Sequence, residues 1–235
     1  MRGLSKHNFV PVLVTDETVS SFIDVRHACI HEAHSHKALK SDFVRLALLH
    51  KHGGVYMDAS VIATEPLDWI IQNGVGYSFF QAFFNQNNMN ISCQAPVIET
   101  SFLSAPPRHP LVSAWLDELL KMKRCDEADM VRFLDDTPVL QKNLGALYHV
   151  TYHVLTNLLL KRPLKDFESV YIMDGGNFLN FNSNKNVNVL CRAGGKPKYH
   201  RLLKLVSKER KQVDDLITRG KVEPGSFIDK FLVSV

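Results

Sequence analysis

Three residues in one short stretch could together do phosphate chemistry. Asp42, Arg45 and Asp58 all fall within S-D-F-V-R-L-A-L-L-H-K-H-G-G-V-Y-M-D-A-S-V-I-A-T-E-P, residues 41–66. An acid and an arginine three residues apart share one face of a helix, and a guanidinium placed there can grip phosphate or carboxylate oxygens. Asp58 follows Gly53-Gly54 at the centre of a β-branched and aromatic run. A carboxylate inside a buried strand is costly unless something pairs with it. A divalent ion, Mg2+ or Mn2+, bridging a diphosphate would be such a partner, because hard cations take carboxylate oxygens and keep places for phosphate and water. The competing reading is plainer: Asp58 caps a turn, and Asp42 with Arg45 is an exposed helix ion pair contributing about 0.2–0.5 kcal/mol.

The elements that must position these residues can be read on either side of the glycine pair. Phe43, Val44, Leu46, Ala47, Leu48 and Leu49 are too apolar for a surface helix. His50, Lys51 and His52 suit its negative C-terminal end, and Gly53 or Gly54 can take the left-handed conformation that stops it. Val55 to Ala63 then reads as one short buried strand centred on Asp58. Elsewhere strands are expected at Phe9–Val14, Val75–Phe84, Ala95–Glu99, Val170–Met173 and Val187–Cys191. Helices are expected over Asp16–His52 for the most part, Leu67–Asn73, Pro110–Lys123, Glu127–Leu134 and Thr137–Leu160. The Asn-rich segment Asn85–Ser92 reads as a loop or a flap. Strands interspersed with helices imply an α/β protein.

The run Lys40-Ser41-Asp42-Phe43-Val44-Arg45, with His52-Gly53-Gly54-Val55-Tyr56-Met57-Asp58-Ala59-Ser60 and Thr64-Glu65-Pro66-Leu67, resembles the capsular polysaccharide synthesis proteins. It also resembles the related glycosyltransferases with the Asp-x-Asp sugar-binding motif, and the glucosylating bacterial toxins share the S-D-x-x-R and G-G-x-Y-x-D pattern. A second block, Val97–Ala105 followed by His109-Pro110-Leu111-Val112 and Trp115, is similar but weaker, as is the apolar helix from Tyr148 to Leu160. The resemblance implies a nucleotide-diphosphosugar transferase (GT-A-like) sandwich with a mixed central sheet and helices on both sides. It further implies that Asp42 and Arg45 hold the donor's sugar and phosphates and that Asp58 holds the metal.

Two departures stand out. Where many relatives carry a second aspartate this chain has Ser60, a hydroxyl that could meet metal, water or phosphate; the capsular branch commonly has Asp-Ala-Thr there. Relatives also open with an Ile-Pro-Lys-Ile-Ile-like strand ahead of the segment that Phe9–Val14 resembles. Either that strand is absent here or the chain is a fragment.

Size and composition agree with a single enzyme domain over 1–235: 45% apolar and 22% charged residues are ordinary globular usage. No apolar run reaches the roughly 18 residues of a membrane span and the N-terminus lacks the apolar core of a signal peptide, so a cytoplasmic protein is expected. Cys29, Cys93, Cys125 and Cys191 are scattered, which argues against a zinc site. His27, His31 and His34 have helical spacing, yet an amphipathic face would look the same. Residues 192–221 hold ten Lys or Arg against Glu209, Asp214 and Asp215, while the whole chain carries only +4. This basic segment reads as a solvated helix face, as a contact to an anionic membrane surface, or as a lid over the donor diphosphate. His200 and Lys204, four apart and so on one helix face, are the residues chosen for that last role. Nucleic-acid binding is not expected, because few aromatics interleave with the basic residues.

The expected protein is therefore a metal-assisted glycosyltransferase that moves sugar from a nucleoside diphosphate sugar to a hydroxyl of a glycan, glycolipid or protein. Asp42, Arg45, Tyr56, Ser60, His200 and Lys204 would contact substrate, Asp58 the metal, and Glu99 would serve as acid or base near the acceptor. The alternatives are a nucleotide-sugar hydrolase and an inactive homologue that binds anionic glycan through its basic segment.

Overall fold

A computed structural model describes residues 9–24, 37–72, 80–84, 98–122, 129, 132, 150–173, 178–181, 187–195 and 201–233. In chain order the elements are α1 (Val19–Phe22), α2 (Lys37–His52), β1 (Gly54–Met57), β2 (Val61–Ala63), α3 (Trp69–Gln72), β3 (Phe80–Phe84), β4 (Ile98–Ala105), α4 (Pro110–Met122) and α5 (Val150–Lys161). Then follow β5 (Val170–Met173), β6 (Phe178–Phe181), a 3-10 turn at Val187–Cys191, β7 (Leu202–Leu205) and α6 (Ser207–Thr218). This is a mixed α/β chain. It divides into two compact units, Leu13–Tyr56 with Val75–Met173, and Met1–Val12 with Met57–Gly74 and Asp174–Val235.

The larger unit is built on a four-stranded sheet of order β1-β4-β3-β5, with β3 antiparallel to β4 and parallel to β5. All eight residues of β4 are buried. Leu39, Phe43, Leu46, Ala47 and Leu49 of α2 form one core with Trp115 and Leu119 of α4 and Val154 and Leu159 of α5. Each large apolar side chain so covered contributes about 1.5–3 kcal/mol relative to exposure. Trp115 satisfies its indole by donating Nε1–H to the Thr151 carbonyl at 3.2 Å.

Helix α2 stops where the glycines require it. Gly53 has φ of 64° and Gly54 of 88°, and a Cβ on Gly53 would lie 2.5 Å from Pro107 Cδ. Glycine at 53 thus meets both a backbone and a packing demand, whereas Gly54 meets only the first. The basic residues ending α2 tie down neighbouring chain: Lys51 Nζ donates to the Phe22 carbonyl at 2.6 Å, and His50 Nδ1 meets Ser113 Oγ at 3.0 Å.

The smaller unit carries a separate three-stranded sheet of order β2-β7-β6, with β2 antiparallel and β6 parallel to the central β7. Its core gathers Ile62, Val187, Leu190, Leu203, Leu205, Val213 and Ile228. Cys191 is a buried free thiol whose pKa burial pushes up, so it behaves as a small apolar residue.

Several expected elements differ. The single strand Val55–Ala63 is two strands in two different sheets, because Asp58-Ala59-Ser60 forms a tight turn closed by Val61 N–H to the Asp58 carbonyl at 2.9 Å. Aspartate and serine favour such turns over strand interior. Residues 9–15 are irregular, with Val10 and Leu13 exposed, rather than a strand. Within the mostly helical stretch expected from Asp16 to His52, the described residues show α1, which closes at the extended Ile23, and α2 from Lys37. Val187–Cys191 is a 3-10 turn, not a strand. The strand expected to end at Glu99 runs on to Ala105. Val170–Met173 and the helix from Pro110 fall where expected. The Asn85–Ser92 segment and the spaced histidines lie outside the described residues.

Candidate functional site

The larger unit gathers a buried polar cluster. Asp42 and Arg45 sit on α2 with Oδ1 and Nη1 3.2 Å apart, and their side chains are only 5% and 6% exposed. Arg45 Nη2 also donates to Ser41 Oγ at 3.1 Å, and its guanidinium lies 5.1 Å from the centre of the Tyr56 ring. The S-D-x-x-R spacing therefore forms a post of Ser41, Asp42 and Arg45 under the aromatic residue of β1.

Glu99 belongs to the same neighbourhood. It is buried on β4, where its Oε1 accepts from Ser101 N–H at 3.1 Å and from the Ser101 hydroxyl at close range. Thr100 donates its hydroxyl to Tyr152 on α5 at 3.4 Å. The Tyr152 phenol is raised well above its ordinary pKa, first by burial and then by the negative charge of Glu99, with Asp42 adding to the rise and Arg45 opposing it. These effects place Tyr152 in the joint field of all three charged residues. Sequence reasoning missed Tyr152; the available signal was a tyrosine among Thr151, His153, Thr156 and Asn157, a polar set on a helix that also carries Val154, Leu155 and Leu158–Leu160.

The smaller unit holds the other acid. Asp58 stands at the turn between β1 and β2, its side chain 20% exposed, with Oδ2 3.3 Å from Nζ of Lys204. The strand pairing sets this contact, since Lys204 on β7 is in register with Val61. Lys204 is thus a strand residue, and the helix face expected to join it to His200 does not exist; His200 itself lies outside the described residues. The neighbouring end of the ladder is held by Arg201, whose Nε meets Glu65 Oε1 at 3.0 Å and whose guanidinium lies 5.1 Å from the Trp69 ring centre. Ser60 is half-buried and its carbonyl accepts Leu205 N–H at 3.0 Å.

A sequence model of the capsular polysaccharide synthesis proteins matches residues 4–131. The chain belongs to that family. No curated protein and no solved structure matches it. The family match spans Asp42, Arg45, Tyr56, Asp58, Ser60 and Glu99, and ends before Tyr152 and Lys204. Membership in a capsule-synthesis family indicates a role in polysaccharide biosynthesis. Among the described residues no helix is long and apolar enough to cross a membrane.

Proposed function

We propose that the chain is a glycosyltransferase with a GT-A-like nucleotide-sugar fold, moving sugar from a nucleoside diphosphate donor to a hydroxyl of a glycan, glycolipid or protein. The observation that carries this reading is the conversion of one continuous motif into two acid–base pairs. Ser41-x-x-x-Arg45 becomes a buried post beneath Tyr56, and Asp58 moves to a turn that solvent reaches.

The donor set can be tested against the Mg2+ or Mn2+ ion the motif implies. Asp58 supplies one carboxylate and Ser60, two residues on, a hydroxyl; among the described residues no group of three or more His, Cys, Asp or Glu stands ready to hold an ion. Such a set fits an ion that takes its remaining ligands from diphosphate and water, the usual habit of magnesium. When bound there, the ion would neutralise charge on the departing diphosphate. Lys204, beside Asp58 in the smaller unit, would share that neutralisation. The roles that the family resemblance implies for Asp42 and Arg45, holding the donor's sugar and phosphates, belong to the same proposal, and within the larger unit the pair lies against Tyr56. Glu99, in the larger unit, is proposed as acid or base, a role that a retaining mechanism would not require. Proximity to an anionic membrane surface through the basic segment remains part of the same proposal, as does a cytoplasmic location.

A second reading, an inactive homologue that binds anionic glycan, is favoured by Ser60 in place of a second acid and by the cation already beside Asp58. One experiment separates them. With a panel of nucleoside diphosphate sugars and Mn2+, Asp58→Asn should keep the fold while donor turnover falls by roughly a hundredfold or more. An anion-binding module would show no turnover in wild type and unaltered glycan binding in the variant.

A further inference from the structure

The backbone itself brings Asp58 and Lys204 together. Lys204 occupies the middle strand of its sheet, paired on both sides and flanked by the buried Leu203 and Leu205. Asp58 is held by the turn that its own carbonyl closes with Val61 N–H. The 3.3 Å contact is therefore set by strand register, and with side chains 22% and 20% exposed both groups can still meet a solute.

An ammonium at this distance largely cancels the attraction of the carboxylate for a second cation, and a divalent ion approaching Asp58 meets a like charge a few ångströms away. A diphosphate reverses the balance. Its oxygens offer the ammonium a new partner and the ion further ligands at the same moment. The flexible lysine stem lets the ammonium turn without any movement of β7. Resting on the glycosyltransferase reading, we propose that Lys204 makes metal binding at Asp58 conditional on diphosphate. Without diphosphate it keeps the ion off Asp58; with diphosphate it turns to a phosphate oxygen and frees the carboxylate for the ion. The device would commit metal and donor to enter together.

The test is protein-bound manganese, measured by equilibrium dialysis with Mn2+ alone and with inorganic pyrophosphate on both sides of the membrane. Wild type should bind Mn2+ weakly alone and roughly tenfold or more tightly with pyrophosphate. Lys204→Met, similar in length but uncharged, should bind Mn2+ alone about tenfold more tightly than wild type and gain less from pyrophosphate, while Lys204→Arg, which keeps the charge, should bind Mn2+ alone as weakly as wild type. If Lys204→Met binds Mn2+ alone no better than wild type, although Asp58→Asn lowers binding, the gate is overturned and Asp58 stands as the ligand. If Asp58→Asn binds Mn2+ and pyrophosphate as wild type does, the metal reading fails and the gate fails with it. Should Lys204→Met not fold, equal Mn2+ affinity of wild type with and without pyrophosphate is by itself enough to overturn the gate.

Discussion

The two acid–base pairs have nearly equal lengths, 3.2 Å for Asp42–Arg45 and 3.3 Å for Asp58–Lys204, yet differ in every other respect that matters energetically. The first joins neighbours one helical turn apart and is almost sealed within the larger unit. The second joins two strands distant in sequence and stays about one-fifth open. Burial raises both the attraction of a pair and the penalty for leaving one member alone, so a sealed pair resists rearrangement. An open pair loses less on separation and can exchange partners. Similar contacts thus suit different tasks: the Asp42–Arg45 post gives shape to the motif, and the Asp58–Lys204 pair is the one a charged ligand can divide.

The sharpest way to break this comparison is to remove one member of the sealed pair. Arg45→Ala strands the Asp42 carboxylate in the core and deprives Tyr56 of its cation, and should cost about 3–5 kcal/mol in a urea unfolding titration. Removing both charges with Asp42→Asn and Arg45→Met together should cost clearly less than the two single losses combined. A loss of only a few tenths of a kcal/mol for Arg45→Ala would mean that the pair behaves as the exposed helix pair its spacing alone suggests.

The open pair should behave in the opposite way. Asp58→Asn and Lys204→Met should each change stability by about 1 kcal/mol or less, because solvent can compensate the partner left behind. The same unfolding titration checks this against the Arg45 result. A cost for either variant as large as that of Arg45→Ala would make the Asp58 turn a structural staple and remove the distinction drawn between the two pairs.

Sequence made local signals legible and left non-local ones hidden. The stop of α2 at Gly53-Gly54 was readable because a left-handed helix end demands glycine, and the extent of α4 because Trp115 and Leu119 recur at helical spacing. The family resemblance was carried by contiguous residues, 40–67, and the family match includes them. The break at Asp58 was not foreseen: a β-branched run looks the same whether it crosses one sheet or changes sheets at a turn. Lys204 was chosen for a helix spacing it does not have, since the strand identity of Leu202–Leu205 depends on pairing with Val61–Ala63, about 140 positions away. Burial of Asp42 with Arg45, and the approach of Tyr152 to Glu99, likewise depend on packing between elements that no local pattern encodes.

The smallest expected effect concerns acid, and it probes the larger unit away from either pair. His109 is 2% exposed just before α4, where Nε2–H donates to the Ser169 carbonyl at 3.0 Å and Nδ1 accepts Leu111 N–H at 3.2 Å. That network requires neutral imidazole. Burial lowers its pKa from the ordinary 6.5, with the carbonyls of Ser169 and Glu168 opposing the shift. Because the folded value lies below the unfolded one, the unfolded chain binds more protons between the two, and stability rises with pH across that window. The contribution is fully present above pH 6.5 and is lost as pH falls from 6.5 toward the lowered value. His109→Asn, which cannot take up this proton, should flatten the slope of unfolding free energy between about pH 6.5 and 5, above the ordinary carboxylate range. An unchanged slope in the variant would assign the acid sensitivity to other groups and leave His109 as a capping residue with no part in it.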